Sequence, residues 1–191
     1  MGLFLNFGAG PNQLPEPWQN LNAEHDIRKR LKFADGSASR ILAEHVIEHV
    51  PFMQGYGFLQ ECLRVLEPGG VLRLAFPDPV RLLAIGVEGF TLGPKAHEYA
   101  GELAKRPNGE VVRRSSEADK PRAAAVMMMI GWHHQSIWSL HTAAVVLATV
   151  GFASVQSREY GRGVLELVDG HHKDVGEALA LLETTIVEAT K

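Results

Sequence analysis

The chain has 191 residues, the length of one domain of ordinary size. Apolar residues make up 46% and charged residues 21%, the balance of a globular protein rather than a disordered one. Nineteen Lys plus Arg against 22 Asp plus Glu give a net charge of -3, which removes the simple electrostatic case for a nucleic-acid partner. One cysteine, Cys62, leaves no internal disulfide to form. No apolar stretch reaches the roughly 20 residues of a membrane span, and the first residues lack a basic region followed by an apolar one. A cytoplasmic protein is expected. Nine histidines cluster locally, as His45 with His49, His133 with His134, and His171 with His172. That grouping raises a metal site as a question.

Leu3 to Phe7 is a short apolar run that stops at Gly8-Ala9-Gly10, as a buried strand feeding a glycine turn does. Pro11, Pro15 and Pro17 follow too closely for a helix. Trp18 to Glu24 reads as a second short strand, and Asp26 to Gly36 is a polar stretch closing in an Asp-Gly turn. Ile41-Leu42-Ala43 is a third apolar run. From Phe52 to Leu66 the apolar residues Met53, Tyr56, Leu59, Leu63 and Leu66 recur at spacings of three and four, which predicts an amphipathic helix. Glu67-Pro68-Gly69-Gly70 ends it, and Val71 to Phe76 is a strand stopped by Pro77-Asp78-Pro79. Strand, helix and strand at this spacing predict a βαβ unit and a parallel sheet.

Residues 80 to 131 are mostly helical in character, with an exposed loop over Asn108 to Lys120 that carries Arg113 and Arg114. Ser139 is the expected N-cap of a helix to Val150, with Gly151 as its stop. Ser154 to Tyr160 reads as a strand, Lys173 to Glu183 as a helix, and the β-branched run Thr184 to Thr190 as a final strand.

The turn Gly8-x-Gly10 at the end of a parallel strand lets a ligand approach the backbone. Gln13 stands where a dinucleotide fingerprint needs its third glycine, and no helix follows, so a nicotinamide or flavin is disfavoured. A carboxylate at the end of the second strand, Glu24, can accept hydrogen bonds from ribose hydroxyls. Asp26, slightly further on, can accept one from an exocyclic amine. Both also suit a solvated loop.

Taken in order, these segments resemble the class I S-adenosyl-L-methionine (SAM)-dependent methyltransferases. Leu5 to Asn12 is similar to their first motif, Asp26 to Ser37 to the loop of their third strand, and Ala43-Glu44-His45-Val46-Ile47-Glu48-His49 to the stretch after their fourth strand. Arg64 to Gly70, with the strand to Asp78, resembles the turn before their fifth strand. The end, Leu147 to Phe152 and Thr184 to Lys191, is similar to their last helix and strand. The resemblance implies an α/β fold, a Rossmann-like and mostly parallel sheet flanked by helices, with a shortened first βα unit. It implies one methyltransferase-like domain over 1–191, with 79–138 as a substrate-side insertion or cap. SAM is the implied cofactor. Phe7, Gly8, Ala9 and Gly10 would line its methionine part, Glu24 would hold the ribose, Asp26 and Ile27 would edge the adenine, and Glu44 and His45 would lie beside the sulfonium. Glu24 and Asp26, two residues apart, could exchange roles. The implied reaction is methyl transfer to an O or N nucleophile of a small-molecule or saccharide-like acceptor, with no nucleic acid and no membrane as partner. A degenerate module of this fold that binds without catalysis is the alternative, motivated by the missing helix after Gly10.

His45-Val46-Ile47-Glu48-His49 also matches H-x-x-E-H, which on a helix could bind zinc with Glu48 as general base of a metallohydrolase. Pro51 follows at once and a strand precedes, so the loop reading is preferred and no metal is expected. His133 and His134 lie among Trp132, Ile137 and Trp138. They are either a packed aromatic cluster or the catalytic pair, since an imidazole of pKa about 6.5 suits proton removal from an acceptor near neutrality.

Overall fold

The computed structural model describes residues 2–11, 13–81, 83, 131, 133–165 and 183–191. In these residues the strands are β1 (Leu3–Phe7), β2 (Trp18–Leu21), β3 (Ala38–Glu44), β4 (Leu66–Pro77), β5 (Ser154–Arg158) and β6 (Thr184–Thr190). The helices are α1 (Phe52–Val65) and α2 (Leu140–Val150), and a 3-10 turn covers Ile47–His49. The sheet order is β2-β1-β3-β4-β6-β5. β1 pairs in parallel with β2 and β3, and β3 with β4. β6 runs antiparallel between β4 and β5. This is the expected Rossmann-like sheet, mostly parallel at one end.

Near-continuous apolar strands need cover on both faces. On one face Leu5, Phe7, Ile41, Ala43, Leu72, Leu74 and Phe76 pack against Phe58, Leu59, Cys62 and Val65 of α1 and Ala143 and Leu147 of α2. Each of these is within the main core, and Trp138 is fully buried beside them. On the other face Leu42, Val71 and Leu165 form a smaller cluster with Leu14 and Trp18. There the register aligns Asn20, Asn6, Leu42, Arg73 and Glu188 across the sheet. Polar residues can sit in that row because they bond to one another: Asn6 donates to Asn20 at 2.9 Å, and Arg73 to Glu188 at 2.9 Å.

Several boundaries differ from the sequence reading. β2 stops at Leu21, so Glu24 lies beyond it in a turn. β4 begins at Leu66, where Ala38 pairs with it before a register shift. The expected Pro-Gly-Gly turn is thus an irregularity inside a strand, with Gly69 left-handed at φ 77°. β5 ends at Arg158, two residues early. Other expectations match: Ser139 Oγ accepts from the Thr142 amide at 3.2 Å, and Gly151 stops α2 in the left-handed region. No helix stands among the described residues between β1 and β2. Instead Leu14 exchanges two hydrogen bonds with the Asn20 amide side chain, at 3.0 and 2.8 Å. No strand forms over 22–37.

That stretch is held from α1. Arg64 donates to the carbonyls of Phe33 (2.9 Å) and Leu31 (3.1 Å), to Asp35, and twice to Glu61. Glu61 in turn accepts from the Leu31 amide at 2.9 Å. Most of the expected cap over 79–138, with Arg113 and Arg114, lies outside the described residues, as do His171, His172 and the helix expected from Lys173, of which Glu183 alone is described. Among the described residues no helix is long and apolar enough to cross a membrane.

Candidate functional site at the carboxyl ends of β1 and β3

The chain leaves β1 for β2 on one side and returns to β3 on the other. In open α/β sheets the crevice at such a reversal, outside the carboxyl ends of the strands, is where ligands bind. Gly8, Ala9 and Gly10 follow β1 there, and Glu44, His45 and Val46 follow β3. The two segments touch: a Cβ on Gly8 would overlap Cγ2 of Val46. Gly8 and Gly10 are exposed and left-handed, at φ 69° and 50°. Such a turn presents backbone rather than side chain to the crevice.

Phe7 is buried in the core below the turn, in edge-to-face contact with Phe58 at 5.3 Å between ring centroids. Ala9 is buried as well. The turn is fixed to the end of β2. The Gly8 amide donates to the Leu21 carbonyl at 2.7 Å, and the Gly10 amide to Oδ1 of Asn22 at 2.8 Å. Asn22 is therefore the first side chain after β2 to reach the glycine turn. Sequence reasoning passed over it because it looked for a carboxylate.

Glu24 is exposed and accepts from the Asn22 amide at 3.1 Å. Bonds to its own amide and that of Asn22 hold its carboxyl below the usual range. Asp26 accepts from Nε, Nη2 and the amide of Arg28 at 2.7, 2.9 and 3.0 Å. That pairing with Arg28 lowers its pKa to about 2. Ile27 turns into the core. His25 stacks on Phe33 nearby, with ring centroids 6.1 Å apart.

The H-x-x-E-H segment is not an α-helix. His45 is left-handed at φ 51°, and only Ile47–His49 turns, as 3-10. The helical spacing that would set His45 and His49 on one face is therefore absent. The His45 amide donates to the Ala75 carbonyl at 2.8 Å, its Nδ1 is 3.3 Å from the buried Glu48 carboxylate, and its Nε2 is 3.4 Å from Thr184 Oγ1. Glu44, half-buried, ends β3 beside it.

Residues 133–138 dock on this turn. The amides of Gln135 and Ser136 donate to the Glu48 carbonyl at 2.7 and 3.2 Å, and Gln135 Nε2 to the His49 carbonyl at 2.7 Å. Trp138 donates from Nε1 to Ser136 Oγ at 2.9 Å and stacks on Phe52. His133 is exposed with φ 63°. His134 is half-buried and meets the His49 ring edge to face, with centroids 4.9 Å apart. The tertiary structure thus joins the two histidine groups, which are 85 positions apart by their numbers (134 − 49).

The residues present fit a nucleoside-bearing sulfonium. Gly10 is open on the side a Cβ would occupy, so a ligand can approach its backbone, and the exposed Glu24 carboxylate beside Asn22 can accept from hydroxyls. Residues 9–74 match the family model described as a methyltransferase domain. No curated protein matches. Among solved structures, a SAM-dependent methyltransferase from Archaeoglobus fulgidus is 12% identical with TM-score 0.56, over 100% of this chain and 86% of that one. A similar enzyme from Mesorhizobium loti is 12% identical with TM-score 0.51, over 99% and 90%. PigF with SAH is 11% identical with TM-score 0.52, over 99% and 50%. Other similar structures are longer chains, of which this one spans 44% and 36%. At these identities the structures speak for the fold, and the matched segment runs from Ala9 in the glycine turn through the loop after β3. Residues 9–74 thus match a methyltransferase domain, and the fold is the one shared by the SAM-dependent methyltransferases of known structure.

Proposed function

We propose that this chain binds SAM in the crevice between β1 and β3 and transfers its methyl group to an O or N nucleophile of a small-molecule or saccharide-like acceptor. The carrying observation is the exposed glycine turn, whose Gly8 packs directly on Val46 at the edge of the segment that matches a methyltransferase domain. Gly8 and Gly10 line the methionine part, with the backbone of Phe7 and Ala9, whose side chains are buried beneath the turn. Asn22 and Glu24 face the ribose, so the carboxylate assigned from sequence shares that work with an amide. Asp26 and Ile27 edge the adenine, Asp26 with its carboxylate already committed to Arg28. Glu44 and His45 border the sulfonium.

When bound, SAM supplies a methyl group on a sulfonium, electrophilic without further activation. The protein aligns the nucleophile with it and, for an alcohol, accepts a proton. His133 and His134 stand on the acceptor side as acid–base or orienting groups. Calorimetry and thermal shift with SAM and SAH test this reading. At about 100 times its Kd a ligand adds roughly 2.7 kcal/mol, a shift of about 5–10 °C for a chain of this size. No shift with either nucleoside up to millimolar concentration would overturn it.

A further inference from the structure

Glu48, His49 and His134 offer one oxygen and two nitrogens that all lie within 4.8 Å of one another. We propose that these three side chains form a binding site for a divalent transition-metal ion, zinc best matching the donor set. Two imidazoles and one carboxylate are a known set for zinc, with the remaining position open to water or a ligand oxygen. The proposal goes beyond the methyl-transfer reading and does not depend on it; with the ion bound, His134 is a ligand and His133 is left as the acid–base group of that reading.

The geometry supports it in three ways. First, Glu48 is buried, and a buried carboxylate needs cationic or hydrogen-bonding compensation. Three imidazoles stand near it: His45 Nδ1 at 3.3 Å, and those of His49 and His134 in the same cluster. His45 on one carboxylate oxygen would orient the other toward the ion, as groups that brace a ligand do.

Second, the backbone is fixed. Gln135 and Ser136 bond to the carbonyls of Ile47, Glu48 and His49, so the turn that carries two ligands and the strap that carries the third are already joined. Zinc bonds of about 2.0–2.1 Å put tetrahedral ligand atoms roughly 3.3 Å apart. The cluster therefore has to contract by about 1.5 Å at its widest. His49 and His134 are only half-buried, so side-chain rotation can supply it.

Third, among the described residues the non-glycine positions with left-handed backbone are His45 and His133. Both adjoin this cluster, and such conformations concentrate at functional sites.

The test uses tag-free, chelator-stripped full chain titrated with Co2+, followed by visible ligand-field absorption, then displaced by Zn2+. One ion per chain is expected, with a tetrahedral-type spectrum. His49→Ala and His134→Ala should each abolish that spectrum while still unfolding cooperatively, and Glu48→Gln should do the same if it folds. His45→Gln should weaken the ion by about 10–100-fold. His141→Gln, exposed on α2, should change nothing. Absence of any spectrum, with no zinc retained through gel filtration, would overturn the site. Unaltered binding in His49→Ala and His134→Ala would overturn it too, because the ion would then sit elsewhere. SAH titration of the same protein separates the two proposals: SAH binding together with failure to bind Co2+ sinks the metal site alone, and Co2+ binding together with failure to bind SAH sinks the methyl-transfer reading alone.

Discussion

Gly8 and Val46 pack so closely that no side chain fits on the glycine: its Cβ would overlap the Val46 Cγ2 methyl. This contact ties the turn after β1 to the loop after β3. Gly8→Ala should therefore fail on two counts. The left-handed φ of 69° costs an L-residue about 1–2 kcal/mol, and forcing a methyl against Val46 adds about 1–3 kcal/mol. Urea denaturation should show the loss, and calorimetry should show weaker SAH binding. A variant as stable as wild type that bound SAH equally well would refute the crevice placement.

Asn22 and Glu24 divide a role that sequence assigned to one carboxylate. Asn22→Ala removes the acceptor of the Gly10 amide, which is exposed, so stability should change by less than about 1 kcal/mol. SAH affinity should fall in Asn22→Ala and in Glu24→Ala. If Glu24→Ala alone weakens SAH, Asn22 only braces the turn. If Asn22→Ala alone does, Glu24 is a solvated loop residue.

Arg64 is the tether of the loop over 31–36. Arg64→Met would orphan the Leu31 and Phe33 carbonyls and leave Glu61 without its guanidinium. Charged hydrogen bonds of this kind are worth about 1.5–3 kcal/mol, so a loss of about 3 kcal/mol is expected in chemical denaturation. The Glu61 carboxyl, now held low chiefly by the Arg64 hydrogen bond, should titrate higher in the variant by NMR.

Glu188 joins the far face of the sheet to acid stability. Burial pushes its carboxyl up, but amides of Leu165 and Val164 with Arg158 and Arg73 outweigh it, and the net shift is downward. A carboxyl lower in the folded state stabilises above its unfolded pKa of about 4.3, and that contribution fades as pH falls through the lower folded value. Thermal stability should drop on acidification through that window. Glu188→Gln should lower stability at pH 7 by removing the carboxylate partner of the fully buried Arg73, which keeps the Arg162 carbonyl, and its stability should fall less steeply with acid. Equal slopes for the two proteins would remove Glu188 from the acid response.

Much of the fold was legible because its signals are local. The apolar run Leu3–Phe7 stopped by glycine, the three- and four-residue periodicity of α1, and the Ser139 and Gly151 caps each act within one or two turns of chain. The missing helix after Gly10 followed from three prolines. Boundaries were less legible where pairing overrode propensity. β4 begins at Leu66, through Pro68, Gly69 and Gly70, because Ala38 pairs with it there.

The site divides in the same way. The sequence by itself determined the glycine turn and the order of motifs, and with them the resemblance to a methyltransferase domain, since these rest on residue type and spacing along the chain. Only the tertiary structure decided that Asn22 reaches Gly10, that His45 leaves the helical register, and that His134 meets Glu48 and His49. Those relations depend on where the end of β2 and the strap over 133–138 come to lie. Sheet order and docking of distant segments fix that, through contacts between residues whose separation along the chain carries no periodic signal.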